Sequence, residues 1–133
     1  MTRPQAPYAI ARTVSHSFEE TDRRVRSALQ DEGFGVLTEI DVSATLKKKL
    51  DVDFRRYLIL GACNPALAHE ALQLEDKVGT MLPCNVIVQE KGDGDVEVAA
   101  IDPVASMQAI DNQDLIERAK LVREKLERVI EGL

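Results

Sequence analysis

Apolar positions along the chain follow first a period of two, then a period near 3.6, and the switches between them mark the elements. From Tyr8 to Val14, Tyr8, Ile10, Arg12 and Val14 alternate against Ala9, Ala11 and Thr13, which predicts a strand. The period then changes. Ser17-Phe18-Glu19-Glu20 reads as a capping box, with Ser at the N-cap and Glu three residues on. Behind it Phe18, Val25, Ala28 and Leu29 share one helical face, and Gly33 ends the helix. Phe34 to Ile40 returns to strand patterning, and Val42, Leu46 and Leu50 line a short, lysine-rich helix over 43–50.

Tyr57 to Cys63 is a nearly continuous apolar run, the signature of a central strand buried on both faces. Asn64-Pro65 then opens a helix over 65–76, with Asn as N-cap and Pro at the first helical position. Cys84 to Glu90 and Asp95 to Ile101 read as two strands, and Lys91-Gly92-Asp93-Gly94 between them as a hairpin turn. Asp102-Pro103 repeats the cap-and-proline start of a short helical turn. A long helix follows from Gln113 to Glu131, in which Leu115, Ala119, Val122, Leu126, Val129 and Leu133 form a seam flanked by Ile116 and Ile130. Such a seam packs on a sheet, and it has too few heptads for a coiled coil. With at least the last two strands antiparallel, the order predicts an α+β fold.

Composition narrows the classes of function. The 133 residues suit one domain, entered through a loose segment at residues 1–7. Aromatics are scarce, with three Phe, two Tyr and no Trp, so the core must be aliphatic. A net charge of −6 leaves no basic footprint for nucleic acid, and Lys47-Lys48-Lys49 reads as a solvated helix face. No run approaches the roughly 18 apolar residues of a membrane span, and the N-terminus lacks the apolar centre of a signal peptide. The expected location is therefore the cytoplasm, where two cysteines stay reduced.

Most familiar catalytic signatures are missing. Gly33-Phe34-Gly35 leads into a strand rather than a helix, so no phosphate loop forms, and neither a GxSxG elbow nor a His-Glu-x-x-His pair occurs. What stands out is a Cys-Asn pair used twice, at Cys63-Asn64 and Cys84-Asn85. If their strands pair antiparallel, Cys63 and Cys84 become neighbours at one sheet edge, with Asp102 on the same edge. A parallel arrangement of those strands would put the cysteines at opposite ends. Cys63 also precedes a helix N-terminus, which favours a thiolate and makes it the candidate nucleophile. His69 lies about one turn into that helix. Cys63, Cys84 and His69 are thus candidate ligands for a soft cation such as Cu(I) or Zn(II), with Met81 or Asp102 as a fourth.

Each of these residues also has a plain explanation. A free cysteine often serves as a small core hydrophobe, Asn64 is accounted for by capping, and His69 could be a surface residue. Glu39 needs a partner such as Arg12, Lys47 or Arg55 if it points inward, and none if it faces solvent. His16 falls in a loop, where exposure is the default. Glu39, Asn64, Asn85 and Asp102 complete the candidates for contacting a small ligand.

Four ordered blocks carry a family resemblance: Gly33-Phe34-Gly35-Val36-Leu37-Thr38-Glu39-Ile40-Asp41, Gly61-Ala62-Cys63-Asn64-Pro65, Leu82-Pro83-Cys84-Asn85-Val86 and Ala100-Ile101-Asp102-Pro103. In these the chain resembles the DUF302 family of bacterial and archaeal proteins, roughly from Tyr8 onward. The resemblance implies a TBP-like fold: a curved, mainly antiparallel sheet packed by helices in β-α-β4-α order, with the short helices at 43–50 and 65–76 as insertions. It also implies homodimers, and no activity. A TBP-like topology describes the sheet only and gives no licence for DNA binding. Three readings stay open: a non-enzymatic module holding a small ligand or soft metal around Cys63 and Cys84, a thiol enzyme or redox sensor using Cys63, and a structural scaffold.

Overall fold

A computed structural model describes residues 6–133 of the chain. Most of the loose segment expected at residues 1–7 therefore lies outside the described residues. Strand β1 spans Ala9–Val14. It starts one residue later than its alternation suggests, because Tyr8 sits in a turn closed by the Ala9 N–H donating to the Ala6 carbonyl. Helix α1 (Phe18–Asp31) begins as expected, with the Ser17 hydroxyl accepting from the Glu20 N–H. The other half of the capping box does not close, since the Glu20 carboxylate is taken by Arg23 and Arg24. Beyond α1, Gly33 adopts φ 84°. Its N–H donates to the Gln30 carbonyl and that of Phe34 to the Leu29 carbonyl, the two bonds of a Schellman end.

Strand β2 (Gly35–Asp41) runs into helix α2 (Val42–Leu50), whose first turn is capped by Asp41. Strand β3 occupies Tyr57–Cys63, and helix α3 (Pro65–Leu74) follows behind the Asn64 cap. Helix α3 is two residues shorter than expected and gives way to a 3-10 turn at Val78–Met81. Strands β4 (Cys84–Glu90) and β5 (Val96–Ile101) form the hairpin. The short helix α4 (Pro103–Ser106) and the long α5 (Gln113–Glu131) complete the chain.

Among the described residues the strands form one sheet in the order β1-β5-β4-β3-β2, with every neighbouring pair antiparallel. The architecture is α+β, in β-α-β4-α order with short inserted helices. Residues of alternate parity on each strand face α1 and α5. Ile10 and Val14, Leu58 and Leu60, Val86 and Val88, and Val96 and Val98 pack there with Val25, Leu29, Leu126 and Ile130. At the edge, Arg12 on β1 donates to the Ile130 and Glu131 carbonyls, placing a cation at the C-terminal end of the α5 dipole. A second, smaller apolar cluster joins α3, the 3-10 turn, α4 and the start of α5 through Ala71, Val78, Met107, Leu115 and Ala119.

The opposite sheet face carries a polar row across four strands, where Tyr57 pairs with Gln89, Gln89 with Glu97, and Glu97 with Thr13. The Gln89 amide donates to the Glu97 carboxylate at 2.8 Å and accepts from Arg55 Nε at 2.9 Å. Arg55 in turn lies over the Phe54 ring. Among the described residues no helix is long and apolar enough to cross a membrane.

Candidate functional site

The register between β3 and β4 decides where the cysteines go. Ala62 pairs with Cys84, so the end of β3 and the start of β4 share one edge of the sheet. Gly61 makes this close approach feasible, since a Cβ there would collide with the Thr38 side chain and come within 2.7 Å of Pro83 Cγ. Behind this edge lies an apolar cavity of about 40 Å³ available to the centres of water molecules, with Cys63, Asn64 and Cys84 in its wall. Helix α3 contributes Leu67, Ala68 and Ala71; α5 contributes Leu115, Ala119 and Val122. Met107, Leu82, Pro83 and Phe34 close the remainder.

The two thiols differ in environment. Both are free, Cys84 buried and Cys63 half-buried. Burial, and secondarily the proximity of Cys63, push the Cys84 thiol up to about 11, so it stays protonated at neutral pH. Cys63 follows Ala62 by one step of the pleat and ends its strand beside the Asn64 cap. The Asn64 side chain accepts from the Leu67 N–H at 3.2 Å, and its amide nitrogen lies 3.1 Å from where a Cβ on Gly33 would sit.

Among the described residues Arg118 is the one charged residue in the cavity wall, and it was not among those singled out from the sequence. Its Nε is buried without a hydrogen-bond partner. The Glu70 carboxylate stands 3.2 Å away, close enough for an ion pair but misaligned for a hydrogen bond. A signal was available, because Arg118 falls three residues after Leu115 and four before Val122, within the apolar seam of α5. Met107 had no such signal, lying between α4 and α5 where no period guides the eye.

The other candidates fall elsewhere. His69 is exposed on α3 and does not line the cavity, and Met81 is on the surface of the 3-10 turn. Asp102 caps α4, accepting from the Val104 and Ala105 N–H groups, and stands 3.5 Å from Arg123 Nε. The four-donor set expected for Cu(I) or Zn(II) therefore does not assemble. Among the described residues no group of three His, Cys, Asp or Glu side chains is placed to hold a metal ion. Asn85 is exposed opposite Gly61. Glu39 is exposed and pairs with Arg26 of α1 rather than with Arg12, Lys47 or Arg55.

An open antiparallel sheet covered by α1 and α5, with an apolar cavity under one edge, defines a small α+β domain whose site belongs to the sheet end rather than to a loop. The chain belongs to the DUF302 family, described as Domain of unknown function DUF302, which matches residues 10–133. It is similar to a solved structure described as the crystal structure of uncharacterized conserved protein DUF302 from Bacillus stearothermophilus. The two share 29% identity at a TM-score of 0.88, over 95% of this chain and 98% of that one. None of the curated proteins matches the chain.

Proposed function

We propose that this DUF302 domain is a binding module that holds a compact, largely apolar small molecule in the cavity beside Cys63 and Cys84. The observation that carries the reading is the recess itself, apolar in its wall, about half open to solvent and bounded by α3, α5 and the ends of β3 and β4. Apolar surface gathered in a recess and left facing water is stabilised when an apolar molecule covers it. At roughly 10–15 Å³ per buried water, this cavity has room for a few, but its wall offers them little to bond to. A short apolar molecule fits that chemistry better. Two reduced cysteines, one deep in the wall, also suit the reducing cytosol expected from the sequence.

Xenon is a direct probe, because it enters dry apolar cavities without needing any polar contact. Under a few atmospheres of xenon, the amide resonances of Leu67, Ala71, Cys84 and Ala119 are expected to shift in a saturable way. Ala68→Met, which extends a side chain into the space, is expected to abolish those shifts while leaving the thermal midpoint unchanged or raised. Shifts scattered over the surface, or none at the cavity, would end the proposal.

A further inference from the structure

We propose that the ligand of this cavity is a short-chain monocarboxylate, a tail of a few carbons bearing one carboxylate, with Arg118 as its anchor. The inference rests on the reading of the cavity as a ligand site and adds the chemical class. Three observations converge on it. Arg118 alone brings charge to the wall, and its Nε is buried there with no hydrogen bond. A buried donor on a charged group is among the more costly polar atoms to leave unmade. Its neighbour Glu70 neutralises the charge at 3.2 Å but does not satisfy the N–H, and Glu70 is itself about half exposed. The guanidinium thus stands at the cavity mouth, its side chain more than a third exposed, paired with Glu70 but with its Nε–H not hydrogen-bonded.

The second observation is the placement of α3. Its N-terminal end, at Asn64-Pro65, abuts the cavity, and the positive pole of a ten-residue helix favours an anion. In a chain with a net charge of −6, a wall that combines a guanidinium, a helix N-terminus and no carboxylate is set against the average of the molecule. The third is size. Space for a few waters accommodates a tail of about three or four carbons against Leu67, Met107 and Leu115, with the carboxylate at the Arg118 side. Arg118 would then exchange the misaligned Glu70 contact for a two-pronged pair with the ligand, the geometry guanidinium and carboxylate share best. A dicarboxylate would carry its second charge into the apolar end and be refused.

The test uses the full chain, labelled with nitrogen-15, titrated at pH 7 with butyrate, its neutral analogue butyramide, and succinate. Resonances of Cys63, Leu67 and Ala119 report occupancy, and the Arg118 Nε–H reports the anchor. Butyrate is expected to bind at least about tenfold more tightly than butyramide, the difference a charge-assisted hydrogen bond makes, and succinate not to enter. Arg118→Gln is expected to reduce butyrate to the butyramide level, and Glu70→Gln to tighten butyrate by removing its competitor. Equal binding of butyrate and butyramide to the unmodified chain would overturn the assignment even if Arg118→Gln failed to fold, and would leave the apolar site standing. So would unchanged butyrate binding in a folded Arg118→Gln variant. If neither compound nor xenon reaches the cavity, the ligand site itself is refuted along with its class.

Discussion

At the scale of single residues, Cys63 and Cys84 show how one step of a pleat separates two otherwise similar side chains. Cys84 lies opposite Ala62 and shares the core, whereas Cys63 ends its strand half-exposed. Iodoacetamide at pH 7.5 is therefore expected to modify Cys63 first, with Cys84 reacting only as the chain unfolds; mass mapping of the modified peptides decides it. The reverse order would contradict the assigned environments. Cys84 also makes a pH prediction. Its folded pKa of about 11 lies above the ordinary 9.0, so the folded state keeps a proton that the unfolded chain gives up. Its contribution is complete below pH 9 and is lost as pH rises from 9 to 11, on the order of 2–3 kcal/mol in all. Urea midpoints measured across that window should fall more steeply for the natural chain than for Cys84→Ala. The meeting of the cysteines was legible only as a condition, because it requires β3 and β4 to pair antiparallel, a direction that the sequence left open and the register supplies. Arg118 was not read, because a seam is searched for its apolar members and a lone charge within it is passed by.

At the scale of elements, the boundaries were the most legible part. Ser17, Asn64 and Asp102 each accept the backbone N–H that their position predicts. Losing the Asn64 cap in Asn64→Ala is expected to destabilise the protein by about 1 kcal/mol, with larger amide shifts at Leu67 than in α5. Gly61 is a sharper case. Its strand reads as continuous and apolar, and nothing in that run announces that Thr38 and Pro83 crowd this position from two sides. Gly61→Ala is expected to destabilise by about 1–3 kcal/mol, read as a lower urea midpoint, since neither a β-branched threonine nor a proline ring yields easily. Glu39 was harder to place for another reason: its partner Arg26 lies on α1, the helix just before β2, but the alternation of β2 does not say which face Glu39 takes.

At the scale of the molecule, the α+β class was readable from the succession of periods, but the order β1-β5-β4-β3-β2 was not. The β4–β5 hairpin follows from its short connection, whereas β1 finds its partner β5 late in the chain, and β2, the next strand in sequence, lies at the far edge of the sheet. The α5 seam shows what that closure depends on. Leu126 is fully buried between the sheet and α1, and Leu126→Ala is expected to cost about 2–5 kcal/mol, measurable as a lowered midpoint with the transition remaining cooperative.

The pairing of β1 with β5 carries a consequence for synthesis. Ile10 waits for Ala100, about ninety residues later, before its backbone bonds are made. At roughly 5–20 residues per second, a ribosome needs several seconds to supply that partner. Throughout that interval β1 and the apolar stripe of α1 are out of the tunnel with neither β5 nor α5 to cover them. A strand that must wait its turn gains from being short and from carrying Arg12, which discourages pairing with the wrong neighbour until α5 arrives to accept its hydrogen bonds.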